Sequence, residues 1–255
     1  EGYSGSWSYP AGTEVTLNTF IFEDDKQFYR WSGTLVSTEP TLTITMDKDY
    51  RICSELIDKG YRGFRAQRAD YGTWYTLEAR RLAVGDYCDV YVEKDSDVTL
   101  AQAIAVAYEY DNNIYEKITT NFGNYEDVDN NEKITLLLLD IVDGYRSDGD
   151  SYVAGYFDPT HMVDLTVAPN SNECDMIFID IDPVEIESEE FYTTIAHEFQ
   201  HMINYSQTYM ATGEEQDLWI NEGLSSGAEY VYSGEVSEDR EWWFNNDPLD
   251  TIALG

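Results

Sequence analysis

The first 58 residues alternate between apolar and polar positions with a period of two. The runs GTEVTLNTFIF, QFYRWSGTL and TLTITMDKDYRI are short, rich in Thr, Val, Ile and aromatic residues, and separated by Gly, Asp and Pro. Such runs predict strands joined by turns, and none of them has the period of a helix. We therefore predict a small all-β module over residues 1–58.

From residue 59 onwards, strand-like and helix-like segments follow one another. WYTLEARRLAV, DYCDVYVEK, ITLLLLDIV and DMIFIDI predict strands, and the third is apolar enough to be a buried one. Apolar residues at helical spacing predict one helix from Leu100 to Gly123 and two more in SEEFYTTIAHEFQHMINYS and LWINEGLSSGAEYVY. This order predicts an α+β domain over residues 59–255. Truncation of this domain at its C-terminus is kept as an alternative.

The first of the two late helices carries two of the three histidines of the chain. His197 and His201 are four residues apart, with Glu198 between them, and they project from the side opposite the apolar face. Ser188 is the predicted N-cap, and the apolar face comprises Ile195, Phe199, Met202 and Ile203. Two imidazoles about 6 Å apart along a helix can reach one tetrahedral zinc ion. Glu198 can then reach a water on that metal.

A third ligand is needed, because a hydrolytic zinc site has three protein ligands and one open position. Glu222 follows His201 by 21 positions and lies on the next helix. It points away from the apolar face predicted for that helix, which comprises Ile220, Leu224, Ala228 and Val231. We therefore predict His197, His201 and Glu222 as metal ligands. A surface helix with two solvated histidines, or a zinc site without catalysis, are the competing hypotheses.

The charge of the chain is strongly negative. Fifty Asp and Glu residues oppose 15 Lys and Arg, which gives a net charge of −35. Such a chain repels nucleic acid phosphates and anionic lipid, so we exclude both as partners. Three interpretations remain: a secreted or surface protein, a calcium-binding chain, or adaptation to salt. Composition does not choose among them, but all three argue against a location in the cytosol.

Two further predictions concern membranes and oligomers. No run approaches the roughly 18–20 apolar residues that would span a bilayer, so we expect no membrane insertion. Nothing in the sequence determines the oligomeric state, and a monomer is the favoured expectation. Cys53, Cys88 and Cys174 form no CxxC pair, and we favour three buried thiols over one disulfide and one free thiol.

An acidic turn precedes the third predicted strand of the second domain. Asp127, Asp129 and Asn131 stand at alternate positions, as at the start of a calcium loop. The sixth position is Glu132 instead of Gly, and the twelfth is Leu138 instead of Glu. A simple acidic turn is therefore favoured, and Ca²⁺ remains the less favoured alternative.

Both parts of the chain resemble known families. The segment YPAGTEVTLNTF…FYRWSGTL…PTLTITMDKDYRI resembles one unit of the bacterial surface repeats of the Listeria–Bacteroides type. This resemblance covers about fifty residues and implies an extracellular bacterial protein. HExxH followed by W-I-N-E-G-L-S resembles the gluzincin metallopeptidases. AHEFQHMIN, WINEGLSSGAEY, VDNNEKITLLLLDI and VAGYFDP, across residues 65–232, most resemble the hyicolysin family of secreted bacterial neutral metallopeptidases.

The second resemblance implies a fold and a set of roles. The fold would be a zincin-like metallopeptidase domain, with the HExxH helix packed under a mixed sheet and a second helix carrying the glutamate ligand. His197, His201 and Glu222 would be the zinc ligands, and Glu198 the catalytic base. The aminopeptidase branch of the gluzincins also carries N-E-G, but it needs a G-x-M-E-N type segment that is absent from this sequence.

We therefore expect a secreted or surface-exposed zinc endopeptidase that acts on proteins or peptides. It would hydrolyse peptide bonds through a zinc-activated water, with Glu198 as the general base. The alternative is a catalytically inactive zinc-binding protein of the surface that acts in adhesion or binding. The presence of Glu198 favours the enzyme.

Overall fold

The structure, a computed structural model, describes residues 5–19, 26–147 and 150–236. The chain divides into two units, Glu1–Gly60 and Tyr61–Gly255. This division falls two residues after the predicted boundary, which stays a prediction. No helix in the described ranges is long and apolar enough to cross a bilayer.

The elements described in the first unit are four strands: β1 (Glu14–Asn18), β2 (Lys26–Gly33), β3 (Thr41–Thr45) and β4 (Ile52–Asp58). β1 pairs with β3 and β2 pairs with β4, both antiparallel. Part of the first predicted run, residues 20–22, lies outside the described residues. The predicted run TLTITMDKDYRI is divided between two strands, because β3 ends at Thr45 and β4 begins only at Ile52.

The second unit is built on a six-stranded mixed sheet in the order β5-β6-β7-β8-β10-β9. β7, β8 and β10 are parallel, and the outer pairings are antiparallel. All six residues of β8 are buried, as expected for a continuous apolar run covered on both faces. The strands are β5 (Tyr61–Gln67), β6 (Trp74–Val84), β7 (Cys88–Glu93), β8 (Ile134–Leu139), β9 (Gly155–Tyr156) and β10 (Met176–Asp180).

The helix predicted from Leu100 is α1 (Leu100–Glu109), a single π-helical turn (Tyr110–Ile114), and then α2 (Tyr115–Phe122). It ends before Gly123, whose φ of 94° favours glycine. The buried residues of α1 are Ala103, Val106 and Ala107, on a helix that contacts β6 and β7, whereas Tyr108 is 64% exposed.

The HExxH segment forms helix α3 (Glu189–Tyr205), which contacts β9, β10, α2 and α4. Ser188 caps it by accepting a hydrogen bond from the Phe191 amide at 3.1 Å, as predicted. The four residues of its predicted apolar face are buried. Their burial fixes which side of α3 carries the histidines.

Helix α4 (Leu218–Ser233) packs on α3 through small residues. Ser225 and Ala228 are buried there, whereas Leu224 is 37% exposed. The predicted apolar face of α4 was therefore wrong at Leu224. Ser225 contacts α3 directly, since its Oγ donates to Gln200 Oε1 at 2.6 Å.

The cysteines differ in exposure. Cys88 and Cys174 are buried, Cys53 is exposed, and all three are free thiols. The prediction of three buried thiols was wrong for Cys53. This residue lies on β4, a strand that pairs only with β2 among the described residues.

Candidate metal centre

Three side chains converge where α3 meets α4. The Nε2 atoms of His197 and His201 lie 3.0 Å apart. The Glu222 carboxylate approaches both of them, with Oε2 3.6 Å from His197 Nε2 and Oε1 3.7 Å from His201 Nε2. The helix pitch aligns the histidines, and the packing of α4 on α3 brings Glu222 to them.

These separations fit a tetrahedral zinc ion. Zn–N and Zn–O bonds of about 2.0–2.1 Å at tetrahedral angles place ligand atoms about 3.3 Å apart. The three separations between His197, His201 and Glu222 are 3.0, 3.6 and 3.7 Å. Two imidazoles and one carboxylate are also ligands that zinc prefers.

The hydrogen bonds behind the imidazoles fix which nitrogen carries the proton. His197 Nδ1 lies 2.6 Å from Glu229 Oε1, and an ionised carboxylate can only accept a hydrogen bond there, so Nδ1 carries the proton. His201 Nδ1 lies 3.1 Å from Asn221 Oδ1, which already accepts from the Asn204 amide. Both Nδ1 atoms are therefore donors, and both Nε2 lone pairs face the same point.

Ser225 gives His201 a second acceptor. Its Oγ lies 3.0 Å from His201 Nδ1 and donates to Gln200 Oε1 at 2.6 Å. Two lone pairs only 3.0 Å apart, with a carboxylate beside them, form an electron-rich cluster. A bound cation would relieve this repulsion.

The pKa values of the two histidines shift in opposite directions. Burial opposes protonation of His197, but its hydrogen bond to Glu229 and the charges of Glu198 and Glu222 raise its pKa overall. Burial dominates at His201 and lowers its pKa, to which the charge of His197 adds. His201 is thus the imidazole more readily kept neutral.

Glu198 lies beside the two histidines, with a carboxylate oxygen within 4.8 Å of a ligand atom of each. It is 8% exposed, whereas the side chain of Glu222 is 51% exposed. Burial raises the pKa of Glu198 to about 7, although the charge of His197 and a hydrogen bond with the Phe157 backbone oppose the rise. Phe157 directly follows the edge strand β9. The site thus holds two carboxylates in different environments.

Sequence reasoning missed Asn221, Ser225 and Glu229 as parts of the site. These residues recur every four positions along α4, which places them on one helix face. That spacing indicates a polar face on α4. The sequence does not show that this face packs against the histidines of α3.

The acidic turn before β8 is closed by its own hydrogen bonds. Asp127 accepts from the Asn131 and Glu132 amides at 3.1 and 2.9 Å. The Asn131 side chain donates to Asp129 and accepts from the Lys133 amide. Asn131 is therefore occupied within the turn, and the calcium loop considered from the sequence gains no support.

Comparison with known proteins supports a metalloprotease relationship. No family model matches the chain. The chain is 31% identical over 169 residues to the neutral metalloprotease ShpI of Staphylococcus hyicus, a match that covers 63% of this chain and 37% of that relative. The similarity supports a metalloprotease relationship, and the mixed α+β architecture is compatible with a metallopeptidase domain. The resemblances to the hyicolysin family and to a surface repeat stay predictions.

Proposed function

We propose that the second unit is a zinc-dependent endopeptidase, in which His197, His201 and Glu222 hold the metal and Glu198 is the general base. The observation that carries the proposal is the set of three donor separations between 3.0 and 3.7 Å. The similarity to a neutral metalloprotease supports the same class of activity.

Hydrogen bonds to the Nδ1 atoms of both histidines orient the two rings. Glu229 accepts a hydrogen bond from His197 Nδ1–H, while Asn221 Oδ1 and Ser225 Oγ accept one from His201 Nδ1–H. This arrangement directs both Nε2 lone pairs towards one point and raises their basicity as ligands. When bound, a zinc ion supplies Lewis acidity, which lowers the pKa of water and polarises a carbonyl group.

Glu198 is placed as a general base, since one of its carboxylate oxygens lies within 4.8 Å of a ligand atom of each histidine. From that position its carboxylate can take a proton from the attacking water and return it to the departing amine. Its burial limits competing hydrogen bonds with bulk water. Glu222, which is half exposed, lies on the other helix and holds the metal instead.

The proposed substrates are proteins or peptides outside the cell. The net charge of −35 favours an extracellular or cell-surface location, as does the resemblance of residues 1–58 to a surface repeat. Internal cleavage is favoured because the sequence lacks the G-x-M-E-N type segment that would hold a free amino terminus.

Cleavage of casein by the zinc-loaded chain and by its Glu198→Gln variant tests this function. Glu189→Gln is the matched control, because Glu189 lies on the same helix and is exposed. We expect the parent and the control to cleave casein. The Glu198→Gln variant should bind zinc equally well and lose at least about a hundredfold in rate.

Mass spectrometry of the fragments separates internal cleavage from removal of terminal residues. Release of single N-terminal residues would contradict the endopeptidase assignment. If the parent binds zinc and cleaves no casein, the enzyme hypothesis fails and a zinc-binding surface protein takes its place.

A further inference from the structure

Three carboxylates converge at a second place in the same unit. Asp127 and Asp129 belong to the turn between α2 and β8, and Asp175 directly precedes β10. One oxygen of each lies within 4.8 Å of the others. Strand pairing brings Asp175 there, since the Thr135 amide of β8 donates to the Asp175 carbonyl at 2.9 Å.

Asp175 is the unusual member of this group. It is 1% exposed, and its Oδ1 accepts a hydrogen bond from the Val128 amide at 3.2 Å. Its Oδ2 is buried and has no hydrogen-bond partner in the described part of the chain. A buried carboxylate oxygen without a donor is costly, and such groups usually pair with a charge or bind a metal.

The positive charge nearby is insufficient to balance the cluster. No lysine or arginine in the described ranges forms an ion pair with Asp127, Asp129 or Asp175 within 4.0 Å. Partial desolvation and the charge of Asp127 raise the pKa of Asp129, a surface carboxyl. They outweigh a hydrogen bond from the Asn131 backbone and the charge of Arg62, which lower that pKa. Burial likewise raises the pKa of Asp175 to about 7. The geometry thus assembles three acidic groups that repel one another.

We propose that Asp127, Asp129 and Asp175 bind a divalent cation, calcium, at a site separate from the candidate metal centre. Calcium takes carboxylate and water oxygens in flexible geometry, which suits a turn that offers three carboxylates. Neither imidazole nor thiolate belongs to this donor set, which disfavours zinc. In this site Asp175, which directly precedes β10, takes the ligand position that the calcium-loop pattern in the sequence would give to Asn131.

The cation would connect the start of β10 to the turn that supports the end of α3. The Glu126 amide donates to Ser206 Oγ at 3.0 Å, and Gln207 Nε2 donates to the Asn124 carbonyl at 3.1 Å. The ring of Tyr125 packs against Phe199 on the buried face of α3. We therefore expect calcium to stabilise the folded unit, with zinc binding left in place.

A titration of the full chain with CaCl₂, after zinc has been bound at one equivalent, tests the proposal. Calorimetry should show one calcium site with a Kd on the order of 10⁻⁴–10⁻³ M, and the Tm should rise with calcium. Tb³⁺ is an independent probe, because Tyr125 stands two residues before Asp127 in the same turn and can serve as the sensitiser of terbium luminescence.

Asp129→Asn should weaken calcium binding by at least roughly tenfold, because the site loses one of its three charges. Asp129 is exposed, so this variant carries the test even if the buried variant Asp175→Asn does not fold. Asp86→Asn is the matched control, since it removes one negative charge from an exposed position elsewhere in the unit. An unchanged Tm up to about 10 mM calcium, equal losses in variant and control, or binding of Mg²⁺ alone would overturn the proposal.

Discussion

The Nδ1 atom of His197 lies 2.6 Å from Oε1 of Glu229, seven residues beyond Glu222 on the same helix. Helix α4 thus supplies both a candidate ligand and the group that orients another ligand. A carboxylate behind a metal-binding imidazole holds the ring in place and makes its other nitrogen more basic. The relationship gives Glu229 a positioning role that separates it from the proposed ligands.

Glu229→Gln should therefore weaken zinc binding without abolishing it. The amide can still accept a hydrogen bond from His197, but it lacks the charge that raises the basicity of the ring. We expect zinc affinity to fall by about 10–100-fold, as for other groups behind metal ligands. Competition with a chromogenic chelator measures the change, and casein cleavage at saturating zinc should recover most of the parental rate.

The control for this variant is Glu214→Gln, an exposed position in the connection between α3 and α4. It removes the same charge and should leave zinc affinity unchanged. A Glu229→Gln variant with parental zinc affinity would show that Glu229 has no positioning role.

His201 should tolerate the loss of one hydrogen-bond partner better than His197. Its Nδ1 has two acceptors, Asn221 Oδ1 at 3.1 Å and Ser225 Oγ at 3.0 Å. We expect Asn221→Ala and Ser225→Ala each to lower zinc affinity by less than about tenfold, and the double variant by more than the product of the two. The same chelator competition measures all three. If the loss of zinc affinity in the double variant equals the product of the two single losses, Asn221 and Ser225 do not act as alternative acceptors for His201 Nδ1–H.

Glu222→Gln should have the largest effect on the metal and a small effect on the fold. The Glu222 side chain is 51% exposed, so its replacement leaves no buried cavity. We expect zinc to be lost on dialysis, with a fall in affinity of more than about a hundredfold, because a ligand is removed instead of a supporting group. The Tm of the metal-free variant should equal that of the metal-free parent. Zinc retained at one equivalent after dialysis would remove Glu222 from the ligand set.

The local parts of the site were predictable from the sequence. The cap of α3 at Ser188 follows from the preference of serine for the N-cap position. The opposed faces of that helix follow from its 3.6-residue period. The buried strand β8 follows from its unbroken apolar run. These features depend on neighbours within one element, so no tertiary information was needed.

The features that were missed depend on contacts between elements. β5 lies at the sheet edge and buries only Phe64 and Ala66, so its run YRGFRAQ has too weak an apolar pattern to indicate a strand. Glu229 contacts His197 only because α4 packs on α3. Asp175 meets Asp127 only through the pairing of β8 with β10. The spacing of residues within one helix or strand does not reveal contacts between different elements.

Asp180 should make the stability of the second unit depend on pH. It is fully buried at the end of β10, and its Oδ1 accepts from the Ile141 and Ile181 amides at 3.0 and 2.8 Å. Its Oδ2 is buried without a partner in the described residues. Burial raises the pKa of Asp180 to about 7, whereas an unfolded aspartate titrates near about 3.9.

Because the folded-state pKa is the higher one, the protonated carboxyl stabilises the fold, and this contribution is lost as pH rises from about 4 to about 7. Asp180→Asn cannot ionise and keeps an oxygen that accepts the same amides. The variant should therefore gain stability relative to the parent as pH rises, to at most about 4 kcal/mol above pH 7.

Urea unfolding of the metal-free parent and variant at pH 5, 6, 7 and 8 measures this difference, at pH values chosen to span the expected loss. Carboxylates remote from Asp180 titrate equally in both proteins and cancel, so the difference between the free energies of unfolding reports Asp180 together with its electrostatic coupling to Asp140. A difference for Asp180→Asn that stays constant with pH would mean that Asp180 is already ionised in the folded protein at pH 5.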